Sequence, residues 1–140
     1  MSEASERSPE RLRALVTDDD PAVRRILAET LLLQGIDVIE AGNGVQALAA
    51  AATQRFDVIF MDIVMPEKDG IETIIELRKR GIASRIVMIS SHTKFGDMLL
   101  LEAARSVGAN DFIQKPFNAL ELVAATKRML NDARAAKGEG

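Results

Sequence analysis

The segment FMDIVMP, Phe60 to Pro66, sets five large apolar residues around one carboxylate, Asp62. It overlaps the run DVIFMD (57–62), which is short, mostly apolar and followed within a few residues by a proline. A run of that length and composition reads as a buried strand. An ionised aspartate is costly to bury without a partner. Its position at the end of such a strand therefore asks what else in the chain reaches it.

Similar runs recur on both sides. LRALVT (12–17) ends at DDDP, IDVIEA (36–41) at GNG, RIVMIS (85–90) at a polar loop, and NDFIQ (110–114) at KPFN. Helical patterns lie between them. Asp20 before Pro21 reads as an N-cap with proline at the first helical position. Val23, Ile26, Leu27 and Leu31 follow at helical spacing until Gly35. An Ala-rich segment over 45–53 gives a second helix, and 66–70 reads as a loop. Ile71, Ile74, Ile75 and Leu77 before Gly81 make a third, residues 97–107 before Gly108 a fourth, and 119 to about 133 a fifth. Five strands alternating with five helices predict an α/β fold, a parallel sheet covered on both faces and joined by right-handed crossovers. Residues 1–10 read as a disordered tail, 11–134 as the domain and 135–140 as a frayed C-terminus.

Composition narrows the function. With 140 residues and 47% hydrophobic content, the chain suits one domain with a real core. Its net charge of −3 argues against binding a phosphate backbone, so no nucleic-acid partner is expected. Cysteine is absent, which excludes disulfides and thiolate metal sites. The polar N-terminus lacks a signal-peptide core, and no apolar run approaches the roughly 20 residues of a membrane helix. A cytoplasmic protein with no membrane partner is the expectation.

Ligands of open α/β sheets bind at the carboxyl ends of the strands. The first strand ends in Asp18, Asp19 and Asp20, the third in Asp62, the fourth in Ser90, and the fifth leads into Lys115. Carboxylates gathered at one point repel one another, and a divalent cation removes that repulsion. Oxygen ligands without His or Cys favour Mg²⁺, with Mn²⁺ a close relative. Lys115 adds a point charge and Ser90 a hydroxyl donor. Metal, ammonium and hydroxyl around one carboxylate suit a phosphoryl group carried on it. His92, the only histidine, reads as a solvated loop residue. The run Met98-Leu99-Leu100-Leu101 is more apolar than one buried helix face needs, so part of it is available to a partner.

LVTDDDPAVRRIL, FDVIFMDIVMPEKDGIE, IVMISS and GANDFIQKPF resemble, in order, the signature blocks of bacterial two-component response-regulator receiver domains, the single-domain chemotaxis regulators among them. The resemblance implies the flavodoxin-like order 2-1-3-4-5. It makes Asp62 the phosphoacceptor for a sensor histidine kinase or histidine phosphotransfer protein. Asp18, Asp19, Asp62 and the backbone carbonyl of Val64 become the Mg²⁺ ligands. Ser90 and Lys115 take phosphoryl oxygens, and Phe112 becomes the aromatic switch. The readout is the surface of the fourth helix, fifth strand and fifth helix, meeting a downstream protein or a second copy of the chain. Because the chain stops soon after the fifth helix, action through a protein partner rather than an output domain is expected.

Three features depart from the family pattern. Ser90 stands where threonine is commoner, Thr17 replaces an apolar residue, and the interval from Ser90 to Gly108 is long. The alternative enzyme reading is a Mg²⁺-dependent phosphatase or phosphotransferase resembling haloacid dehalogenases. It meets Val64 where that family has a second Asp. A nucleotide or flavin binder lacks support, because GNG (42–44) follows the second strand without a GxGxxG pattern.

Overall fold

The computed structural model describes residues 11–63, 65, 69–90, 102–103, 105–115 and 117–136. The expectations for the tail (1–10), for Val64, for His92 and for the leucine run at 98–101 lie outside these residues.

Strands β1 (Arg13–Thr17), β2 (Asp37–Ala41), β3 (Val58–Asp62), β4 (Arg85–Ser90) and β5 (Asp111–Gln114) form one parallel sheet in the order β2-β1-β3-β4-β5. Helices α1 (Pro21–Leu33), α2 (Gly44–Thr53) and α3 (Gly70–Lys79) follow the first three strands, and the last helix covers Ala119–Ala136. Of the helix expected at 97–107, Glu102, Ala103, Arg105 and Ser106 are helical among the described residues.

Alternation along the central strands builds two cores, one on each face of the sheet. Ala14, Val16, Val58 and Phe60 pack with Leu27 and Leu31 of α1 and with Leu122 and Met129 of the last helix. Leu15, Ile59 and Met61 pack oppositely, with Ala47 and Leu48 of α2 and Ile74 and Leu77 of α3. Each large side chain buried in this way contributes roughly 1.5–3 kcal/mol relative to exposure. Both faces of β3 are buried along its whole length, Asp62 included.

Helix starts are capped by side chains. Asp20, Asn43 and Asp69 accept from the backbone N–H of Ala22, Gln46 and Glu72. Asn118 and Glu121 exchange hydrogen bonds at the start of the last helix. The GNG segment is thus not only a turn: Asn43 is a cap and Gly44 the first helical residue. Likewise Asp69 and Gly70, expected in a loop, open α3. Gly35 and Gly81, with φ of 81° and 80°, end α1 and α3 in the left-handed region that favours glycine. Ile26, at helical spacing with Leu27 and Leu31, is 51% exposed. The buried stripe of α1 is narrower, made by Leu27, Ala28 and Leu31.

Candidate functional site

Register sets the site. Thr17 lies opposite Ala41 and Met61, Asp62 opposite Ile89, and Ser90 opposite Gln114. The ends of β1, β3, β4 and β5 therefore open onto one edge, where β1 and β3 flank the point at which strand order reverses. Backbone bonds continue the register past the strands: Asp18 N–H donates to Ala41 O (3.2 Å), Ile63 N–H to Ile89 O (3.1 Å) and Lys115 N–H to Ser90 O (2.7 Å).

Three carboxylates converge there. Asp18 and Asp62 are buried, Asp19 is exposed, and each offers an oxygen within 4.8 Å of the others. Asp18 Oδ1 accepts from Asp20 N–H at 2.9 Å, which fixes its rotamer. The Lys115 ammonium sits 3.0 Å from Asp18 Oδ2, in ion-pair contact rather than aligned as a hydrogen bond, and donates to Asp62 Oδ2 at 3.4 Å. Burial is the largest influence on Lys115 and pulls its pKa down. The close contact with Asp18 and the charges of Asp62 and Asp18 together outweigh it, so the pKa is raised. Lys115 is thus held as a cation between two buried anions.

Ser90 Oγ is buried and has no hydrogen-bond partner among the described residues. A buried hydroxyl without a partner costs free energy and is available to an incoming acceptor. Phe112 is half-buried, packs against Ile63 and Met88, and has the Arg105 guanidinium 5.9 Å from its ring centroid. The structure thus brings Asp18, Asp19, Asp62 and Lys115 together, with Ser90 on the adjoining strand end.

Gly70 was not expected at the site. A Cβ on it would fall 2.3 Å from Asp62 O and 2.5 Å from Ile63 Cα, so only glycine lets α3 lie against the strand end that carries Asp62. The donor set also fits a hard divalent cation: three carboxylates in mutual reach, with no nitrogen or sulfur ligand among them. Among the described residues, no helix is long and apolar enough to cross a membrane.

Comparison with known proteins agrees with this geometry. Residues 14–127 match the family described as response regulator receiver domain. The chain is 36% identical over 120 residues to chemotaxis protein CheY of Bacillus subtilis, covering 85% of this chain and 98% of that protein. It is 35% identical over 114 residues to transcriptional regulatory protein PdtaR of Mycobacterium tuberculosis, covering 81% of this chain and 54% of that one. It thus spans about half the length of PdtaR. The crystal structure of the receiver domain of NtrX from Brucella abortus superposes with a TM-score of 0.76 at 32% identity, covering 84% of this chain and 98% of that one. The expectation of no nucleic-acid partner finds no support here, since one relative is named a transcriptional regulator. The general role of the matched family is phosphoacceptor signalling rather than classical enzyme turnover, and receiver domains engage histidine kinases and downstream targets. With the sheet order, the strand-end cluster and the match over 14–127 in agreement, this chain belongs to the response regulator receiver domain family.

Proposed function

We propose that Asp62 is the phosphoacceptor of a switch formed by residues 11–134, charged by a sensor histidine kinase or a histidine phosphotransfer protein in the cytoplasm. The observation that carries this reading is the Lys115 ammonium set between the buried carboxylates of Asp18 and Asp62, beside a buried Ser90 hydroxyl without a partner among the described residues.

An Asp62 carboxylate oxygen attacks the phosphorus of the donor phosphohistidine. The P–N bond breaks, a P–O bond forms, and the departing imidazole nitrogen takes up a proton. Asp18, Asp19, Asp62 and the backbone carbonyl of Val64 would hold Mg²⁺, or Mn²⁺ in its place. When bound, the metal supplies charge neutralisation for the phosphoryl oxygens. Lys115 keeps Asp62 in line and pairs with a second phosphoryl oxygen. Through these residues the domain assists its own phosphorylation and dephosphorylation.

Phosphorylation gives the Ser90 hydroxyl an acceptor that it lacks among the described residues, and the conformation that supplies this contact gains population. Phe112 adjoins Ile63, the residue after Asp62, so it is placed to follow the change. The readout is the face of the fourth helix, β5 and the last helix. A groove of about 500 Å³ runs along β5 and the last helix, lined by Phe112, Lys115, Phe117 and Glu121. Its occupant is a downstream protein, or a second copy of the chain in a homodimer.

Incubation with acetyl phosphate and Mg²⁺ followed by intact mass measurement tests the reading. One phosphoryl adduct is expected on the wild type and none on Asp62→Ala. No wild-type adduct, or an undiminished adduct on Asp62→Ala, overturns it.

A further inference from the structure

We propose that Arg24 is a positioning residue for the metal-binding turn, acting through the Asp18 carbonyl and oriented by Glu40. This rests on the reading of Asp18, Asp19 and Asp62 as the Mg²⁺ ligands. Arg24 lies in the first turn of α1, where its N–H closes an early helical bond to Asp20 O at 2.9 Å. Its side chain folds back over the turn instead of leaving for solvent. Nη1 donates to Asp18 O at 2.7 Å and Nε to Glu40 Oε1 at 2.9 Å. The Arg24 and Glu40 side chains are only 22% and 29% exposed.

The Asp18 carbonyl needs such a partner. β1 ends at Thr17, and past it the Asp18 N–H still pairs with Ala41 O. The carbonyl leaves the sheet and meets the guanidinium. The peptide plane that carries this oxygen also carries the Asp19 nitrogen, so holding one end sets the direction of the other. Arg24 thereby fixes the exposed carboxylate of Asp19 through the backbone, while the buried carboxylate of Asp18 is fixed by Asp20 N–H. The planar fork meets Asp18 O through Nη1 and Glu40 through Nε in one fixed geometry, which the point charge of an ammonium does not impose.

Charge and geometry make opposite predictions. A guanidinium beside a cation site opposes the metal on charge alone, and Glu40 offsets that charge. If Arg24 acted by charge, its removal would tighten Mg²⁺ binding; acting by position, its removal weakens it. The test is Mg²⁺ titration followed by amide chemical shifts without phosphodonor, with thermal melting of the same samples. Groups that orient metal ligands typically cost 10–100-fold in affinity when lost, and Arg24→Met is expected to raise the Mg²⁺ dissociation constant by about tenfold. Arg24→Lys, which keeps the charge and loses the fork, is expected to fall between Arg24→Met and the wild type. A Met variant with unchanged or tighter Mg²⁺ binding overturns the inference, whatever happens to its melting temperature. If the Met variant does not fold, Arg24→Lys decides, and wild-type affinity there overturns it. A wild type that shows no Mg²⁺ response overturns the proposed function itself, and this inference with it.

Discussion

The two sides of the proposed phosphorylation site are built differently. On the β1 side the turn at Asp18 is tied down: Asp18 N–H to Ala41 O, Asp18 Oδ1 to Asp20 N–H, Asp18 O to Arg24, and the Asp20 carboxylate to Ala22 N–H. Asp18 Oδ2 is in ion-pair contact with Lys115, while the Thr17 hydroxyl has no partner among the described residues. On the β4–β5 side the Ser90 hydroxyl has no partner among the described residues, and Phe112 is only half-buried against Ile63 and Met88. The Asp18 turn is assembled before any ligand arrives, as the proposed metal site requires to hold its geometry. Among the described residues the β4–β5 side is left incomplete, as the proposed sensing of a new group requires. Lys115 belongs to both sides, since it leaves β5 and reaches the carboxylates of β1 and β3.

The comparison breaks most severely at Gly70. A methyl group there would sit 2.3 Å from Asp62 O, against backbone that cannot give way cheaply. Gly70→Ala is expected to cost about 3 kcal/mol, at the upper end of the usual overpacking penalty. Urea denaturation measures this. Because the displaced atoms belong to the strand end that carries Asp62, the proposed phosphoacceptor, the adduct yield from acetyl phosphate should fall with it. A loss of stability with full yield would mean that the strand end tolerates displacement.

Lys115→Met comes next. It leaves the Asp18 and Asp62 carboxylates facing each other without their shared cation. Breaking a fully buried pair costs about 3–5 kcal/mol; with the lysine side chain 20% exposed, about 2 kcal/mol is expected at neutral pH. Saturating Mg²⁺ should restore much of it, since the metal replaces the missing charge. The raised pKa of Lys115 sets the alkaline behaviour. Its contribution is complete below the ordinary lysine value of about 10.4 and is lost as pH rises through the higher folded value. Wild-type stability should therefore decline more steeply than that of Lys115→Met across that window.

How far the sequence told this in advance depended on what kind of partner each residue uses. Asp18, Asp62, Ser90 and Lys115 were legible because strand ends and polar side chains coincide in the chain itself. The turn of Arg24 was not, since its main acceptor is a backbone carbonyl, which leaves no mark in a sequence. Gly70 escaped for a related reason: a close approach between segments is visible only once both are placed. The helix starts at Asn43, Asp69 and Asn118 did carry a signal. Each has Gln or Glu three residues later, at Gln46, Glu72 and Glu121, the capping-box spacing. The helical spacing of Ile26 did not tell that it is exposed, because spacing counts large apolar residues, whereas the buried face of α1 includes the small Ala28.

Ser90→Ala tests the incomplete side directly. Removing this hydroxyl, buried and without a partner among the described residues, relieves an unsatisfied group but leaves a small void that alanine does not fill, as valine would at Thr17. The unphosphorylated protein's stability should therefore stay nearly unchanged. The phosphorylated form should lose a hydrogen bond to a charged group, worth about 1.5–3 kcal/mol. Amide chemical shifts of the two forms measure this, and the displacement on phosphorylation should shrink around Phe112. A full response in Ser90→Ala would move sensing to another residue.

Thr17→Val separates two kinds of unpartnered hydroxyl and has the smallest expected effect. Thr17 is fully buried, and its Oγ1 also lacks a partner among the described residues. Alternation along β1 puts it on the face of Leu15, over the apolar core of α2 and α3, while the Asp18 carboxylate is turned toward Lys115. Nothing at the site then calls for the Thr17 hydroxyl, and valine has nearly the same shape. Thr17→Val should stabilise the protein by about 1 kcal/mol, the cost of a buried unsatisfied group. Its Mg²⁺ affinity and adduct yield should match the wild type. Destabilisation instead would show that the hydroxyl holds a buried water, and weaker Mg²⁺ binding would extend the preassembled side one residue back into β1. The unmade hydrogen bond of Ser90 is thus expected to matter only once a phosphoryl group is present, and that of Thr17 only to stability.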